Sequence, residues 1–141
     1  MKQIKLEINI EACHYDELTE KERKLIDAAC EATKRSYAPY SHFAVGAAAL
    51  LENDIVITGT NQENAAYPSG LCAERTTLFY ANSQYPDQAV KTLAIAARTE
   101  NGFPYRFSVS NNTCRQAPQG GIGVSRKPFS VRAAMASVFT A

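Results

Sequence analysis

Apolar and polar residues alternate from Gln3 to Ile10, with Ile4, Leu6, Ile8 and Ile10 on one side, which predicts a short strand. Thr19-Glu20-Lys21-Glu22 then reads as a capping box, a hydroxyl at the N-cap and a carboxylate three residues on. It predicts a helix from Glu20 to Ser36, with Leu25, Ala29, Ala32 and Ser36 on one face and Ile26 beside them. Ala38-Pro39 stops it. The small apolar run Phe43 to Leu51 predicts a buried strand, Glu52-Asn53-Asp54 a turn, and Ile55 to Thr60 a second strand, together a hairpin. Asn61 to Gly70 is a polar loop. Leu71 to Asn82 predicts a helix that buries Leu71, Leu78 and Phe79, and Val90 to Ala97 a further strand. Beyond Arg98 the pattern weakens and marks no strands; Ser130 to Phe139 fits a helix with Val131, Met135 and Val138 near one face. Strands alternating with helices point to an α/β fold, a sheet with helices on its faces.

The 141 residues suffice for one domain with its own core and are too few for two. Net charge is +1, which argues against a nucleic-acid partner held by a basic surface, and no aromatic stacking series is evident. The longest apolar stretch, Phe43 to Leu51, is too short to span a bilayer, and the N-terminus shows no signal-peptide pattern. A soluble, cytoplasmic protein without a membrane partner is expected. Cys13, Cys30, Cys72 and Cys114 are then buried thiols or metal ligands rather than disulfides. Charge is unevenly spread: all fourteen acidic residues fall in residues 1–100, and residues 101–141 carry five basic residues and no acidic one. This end of the chain follows a different compositional plan from the rest.

Chemistry concentrates in Tyr67-Pro68-Ser69-Gly70-Leu71-Cys72-Ala73-Glu74-Arg75-Thr76. A cysteine at a helix start meets free backbone N–H groups and the positive end of the helix dipole, which favour a thiolate. Glu74 stands two residues on, a spacing that allows a zinc ligand and a general base within one helical turn. The tripeptide alone is weak, because a cysteine near a helix start is ordinarily a small core residue.

The surrounding segments make the signal specific. Tyr37-Ala38-Pro39-Tyr40-Ser41-His42-Phe43-Ala44-Val45-Gly46, Gly59-Thr60-Asn61-Gln62-Glu63-Asn64-Ala65-Ala66-Tyr67 and Cys72-Ala73-Glu74-Arg75-Thr76 closely resemble the small cytidine deaminases of pyrimidine salvage, in family order and over about half the chain, Leu25 to Ala97. The resemblance implies a mixed sheet flanked by helices, one zinc per subunit, and hydrolytic deamination of cytidine and deoxycytidine to uridine and deoxyuridine. It implies Cys72 as a zinc thiolate ligand and Glu74 as the proton shuttle between water, N3 and the leaving amino group. Phe43 would pack on the pyrimidine ring, Ala73 and its neighbours would hold the base edge, and Asn61 and Glu63 would bind a ribose hydroxyl. Arg75 would offset the thiolate charge. A nucleoside is the implied small-molecule partner, and a homotetramer the implied assembly. Zinc-dependent base deaminases use this combination of activated water and a carboxylate that is not a ligand.

The chain departs from the family where the family has Pro-Cys-x-x-Cys. The corresponding stretch is Ser110-Asn111-Asn112-Thr113-Cys114-Arg115-Gln116, so Cys114 matches the last ligand and Asn111 stands where the other cysteine belongs. An amide is a poor zinc ligand. The expected organisation is one deaminase-like domain over residues 1–141, with residues 1–18 as an N-terminal extension and residues 104–141 as an atypical tail. Three further readings stay open: impaired catalysis, a non-catalytic or frameshifted remnant of the fold, and an aminohydrolase for a related aminonucleoside.

Overall fold

The computed structural model describes residues 9–100, 102–110 and 130–134, with side chains described for residues 14–100. In chain order the strands are β1 (Asn9–Cys13), β2 (Ala44–Leu51), β3 (Val56–Thr60), β4 (Val90–Thr99), β5 (Gly102–Ser110) and β6 (Ser130–Ala134). The two α-helices are α1 (Glu20–Ala32) and α2 (Ala73–Gln84). The strands form one mixed sheet in the order β1-β6-β5-β4-β2-β3. β1 runs parallel to β6, and the other neighbours are antiparallel. This is the expected α/β architecture, a mixed sheet flanked by helices.

The capping box forms as read. Thr19 Oγ1 accepts the Glu22 N–H at 3.3 Å, and Glu22 Oε2 accepts the Thr19 N–H at 2.9 Å. α1 buries Leu25, Ile26, Ala29 and Ala32, the expected face. The α-helix ends at Ala32, and a 3-10 turn, Thr33–Arg35, carries the chain on toward Ser36. The expected hairpin is β2–β3, and its turn places Asp54 at φ 63°, a left-handed conformation that Asp tolerates better than most residues.

The two helices cover opposite faces of the sheet. Ala48, Ala94 and Ala96 pack against α1 with Leu25, Ile26 and Ala29. Ala47, Ala49, Leu51, Ile57, Leu93 and Ile95 pack on the other face with Ala73 and Ala81 of α2. Small residues in β2 and β4 let both helices come close, and two glycines bring them closer still. A Cβ on Gly46 would collide with the Ala29 carbonyl of α1, and one on Gly59 would lie 2.5 Å from Thr77 Oγ1 of α2.

Two sequence expectations need correction. The buried face of α2 is Ala73, Thr77 and Ala81, while Leu71 and Phe79 are exposed. A helix seated on Gly59 has room only for small side chains at the contact, so Phe79 turns outward, while Leu78, as expected, packs partly buried against the core. Residues 130–134 are a strand rather than the start of a helix, paired to β1 and β5 on its two sides. A strand, β5, also stands where the pattern marked none. Pairing along both edges overrides the helical spacing of Val131, Met135 and Val138. Among the described residues, no helix is long and apolar enough to cross a membrane.

Candidate active site

Three chain segments converge where β3 ends and α2 begins, and backbone hydrogen bonds fasten them together. Tyr37 N–H donates to the Asn61 carbonyl at 3.1 Å, and Glu63 N–H to the Tyr37 carbonyl at 2.8 Å. Gln62 and Leu71 exchange both of their hydrogen bonds, at 2.8 and 2.9 Å. The segment after β3 thus binds the Tyr37–Phe43 turn on one side and the approach to Cys72 on the other. It also closes the loop between them, which holds a 3-10 turn, Tyr67–Ser69.

An open cleft of about 930 Å³ lies over this junction, lined by Asn61, Glu63, Cys72 and Arg75 together with Tyr40, Ser41, Gln62, Tyr67 and Leu71. Cys72 is the N-cap of α2, exposed and unbridged, with no capping bond from its side chain. Its carbonyl accepts the Thr76 N–H at 3.1 Å, the first turn of the helix. Ala73, the next residue, is fully buried against the sheet. Glu74 follows in the first turn and is half-buried.

The Asn61 amide is engaged mainly by the chain itself. Its Oδ1 accepts the Val45 N–H at 2.8 Å and also the Ser36 hydroxyl, and its Nδ2 donates to the Phe43 carbonyl at 2.9 Å. Val45 N–H can only donate and the carbonyl can only accept, which fixes the amide orientation and leaves one Nδ2 hydrogen uncommitted. Glu63 Oε2 accepts the N–H groups of Tyr40 at 2.8 Å and Ser41 at 3.3 Å. The hydrogen bond from the Ser41 side chain, followed by that from the Tyr40 backbone, lowers its carboxyl below the usual value of 4.5; modest desolvation opposes this.

Of the residues singled out from sequence, the cleft gathers Asn61, Glu63, Cys72 and Arg75 along its wall. Glu74 and Phe43 are half-buried beside it and do not line it. Cys114 and Asn111 lie outside the described residues. Sequence reasoning gave no role to Ser36 and Ser41; their contacts join segments far apart in the chain, which no local pattern reveals. Cys30 is half-buried against the α1-side core, and His42 is exposed at φ 54°.

For a metal, the described residues offer one well-placed donor. Cys72 presents a free thiol to the cleft, while no group of three His, Cys, Asp or Glu side chains assembles among the described residues. The donor type suits zinc. Any further protein ligands would lie outside the described residues.

Residues 19–117 match the family described as the cytidine and deoxycytidylate deaminase zinc-binding region. A cytidine deaminase from Halalkalibacterium halodurans is 45% identical over 80 residues, covering 57% of this chain and 60% of that protein. The crystal structure of cytidine deaminase from Mycobacterium tuberculosis superposes with a TM-score of 0.50 at 39% identity, covering 52% of this chain and 59% of the other. The cytidine deaminase from Bacillus anthracis shares the fold at 18% identity, with a TM-score of 0.51 and coverage of 67% and 65%. The chain spans about three fifths of the length of the curated relatives from Halalkalibacterium halodurans, Sporosarcina psychrophila and Dictyostelium discoideum.

Proposed function

Because this chain belongs to the cytidine and deoxycytidylate deaminase zinc-binding family, we propose that it catalyses the hydrolysis of cytidine and deoxycytidine to uridine and deoxyuridine, with release of ammonia. The observation that carries this reading is the convergence of Asn61, Glu63 and Cys72, from two separate motifs, on one cleft. A neutral sugar needs hydrogen-bonding partners rather than a cationic clamp. Glu63 is an acceptor, and Asn61 retains one donor hydrogen for a ligand hydroxyl. Phe43 is assigned to the pyrimidine face and Ala73 to the base edge.

Cys72 and Cys114 would hold zinc, with Arg75 offsetting the thiolate charge. Zinc, when bound, supplies the Lewis acidity that brings the pKa of water toward neutrality. Glu74 takes a proton from the attacking water and delivers it to N3, then takes the second proton from the resulting C4 hydroxyl and delivers it to the amino group, so that the C4 carbonyl forms as ammonia leaves. Its place two residues after Cys72, in the same helical turn, keeps it near the reacting atoms without being a ligand.

In this reading the protein is a pyrimidine-salvage enzyme of the cytoplasm, acting on free nucleosides as a homotetramer. Phe79 at 49% exposure and Tyr80 at 53%, on the outer side of α2, support an assembly that covers them. A second reading, a nucleoside-binding protein of the same fold without turnover, is favoured by Asn111 at the place of a ligand. Zinc content per chain, followed by chromatographic assay of cytidine loss and uridine formation, separates them. Near one zinc with uridine formed supports the enzyme. Nucleoside binding with neither zinc nor uridine supports the second reading.

A further inference from the structure

The turn that carries Phe43 belongs to no strand or helix, and side chains from the segment leaving β3 hold it. Glu63 Oε2 accepts the N–H groups of Tyr40 and Ser41, at 2.8 and 3.3 Å. The Ser41 oxygen in turn accepts the Phe43 N–H at 3.1 Å. On the far side, Asn61 Nδ2 holds the Phe43 carbonyl at 2.9 Å. Both backbone polar groups of Phe43 are therefore held by side chains, one path leading to Glu63 and the other to Asn61. His42, between Ser41 and Phe43, takes the left-handed conformation at φ 54° that lets this short turn close.

Ser41 thus serves both partners at once, Glu63 through its backbone N–H and Phe43 through its side-chain oxygen. We propose that Ser41 is a positioning residue that links the carboxylate of Glu63 to the ring of Phe43, so that the sugar end and the base end of a nucleoside are gripped by one connected unit. The proposal rests on the reading of the cleft as a nucleoside site. A carboxylate offers about four lone-pair positions, and the turn uses two in Glu63, which leaves capacity for a ligand hydroxyl. Filling it ties the ligand to the same group that positions Phe43. A ligand without a sugar still depends on Ser41, because Phe43 must be in place to receive its ring.

The test compares the full chain with Ser41→Ala and Ser41→Thr. Equilibrium binding is measured for cytidine and for 1-methylcytosine, which keeps the base and lacks the sugar. Amide hydrogen exchange is followed at Phe43, with Ala47 and Ile95 of the sheet as reference. For Ser41→Ala we expect both ligands to weaken about tenfold, the scale of one lost hydrogen bond, and exchange at Phe43 to accelerate while the reference amides stay unchanged. Ser41→Thr, which keeps the hydroxyl, restores all three. Loss of cytidine binding alone, with 1-methylcytosine unaffected, overturns the link to Phe43, as does unchanged binding of both. Acceleration at Ala47 and Ile95 as well also overturns it, since the effect is then global. If the unmodified chain binds neither ligand, the nucleoside reading falls, and exchange at Phe43 alone decides: faster in Ser41→Ala upholds the link, unchanged overturns it.

Discussion

Gly59 and Thr77 meet with no side chain between them: a Cβ on Gly59 would lie 2.5 Å from Thr77 Oγ1 and 2.7 Å from the Thr77 N. This contact sets the distance of α2 from the sheet, and Cys72 is the N-cap of that helix. Gly59→Ala is expected to destabilise the fold by about 1–3 kcal/mol, the usual range for overpacking, read from denaturant unfolding. Gly70→Ala, whose nearest neighbour would be a carbonyl at 3.4 Å, is expected to be far milder.

Cys72 is the described thiol that faces the cleft. Cys72→Ser is expected to reduce zinc in the purified chain to roughly a tenth or less of its starting content, since a structural or catalytic site depends on each of its few ligands. Asn111→Cys is expected to raise zinc affinity about tenfold or more, by restoring a thiolate to the set. Both are read by metal analysis and competition with a chelator. An unchanged metal content in Cys72→Ser would assign the zinc elsewhere.

In the proposed mechanism Glu74 carries the proton, and Glu74→Gln removes that capacity while keeping the shape of the side chain. Turnover of cytidine is expected to fall about 100- to 10,000-fold, the span attributed to general acid–base catalysis. Zinc content and unfolding midpoint should remain those of the parent chain. A variant that retains most of its turnover would move the proton chemistry to another group.

The lowered carboxyl of Glu63 gives the Tyr40–Ser41 turn a pH dependence. Its pKa lies below the ordinary value of 4.5 when folded, because the Ser41 side chain and the Tyr40 N–H bond to the ionised form. The stabilisation is therefore fully present above 4.5 and is lost as pH falls through the lower, folded value. Amide exchange of Tyr40, corrected for intrinsic pH effects, should show steady protection down to about pH 4.5 and progressive loss below it. Protection that persists unchanged to pH 2 would mean that another acceptor holds the turn.

Much of the central fold was legible because its signals are local. The Thr19–Glu22 box opens α1 where expected, and the apolar run after Phe43 with the Asn53-Asp54 turn gives the β2–β3 hairpin. The three motifs around Tyr40, Asn61 and Cys72 also come together in space. What was not legible depends on partners distant in sequence. The buried face of α2 is chosen by its contact with Gly59 rather than by hydrophobicity, so Thr77 goes in and Phe79 stays out. The strand at residues 130–134 is chosen by pairing with β1 and β5. Asn61 and Glu63 were read as facing a ligand; that they also hold the Phe43 turn follows only from the folded arrangement.

The paired hydrogen bonds between Gln62 and Leu71 have an architectural consequence. They pinch the chain shut just before Cys72, so the stretch between them hangs from a closed neck. Changes of length in that stretch end at the neck and do not reach the helix start. Doubling a flexible loop costs only about 0.6 kcal/mol in closure entropy. The rim of the cleft, with Tyr67 and Pro68, is thus a replaceable module: longer or foreign sequences can be grafted between Asn64 and Ser69 to reshape what enters, while Cys72 and Glu74 keep their places.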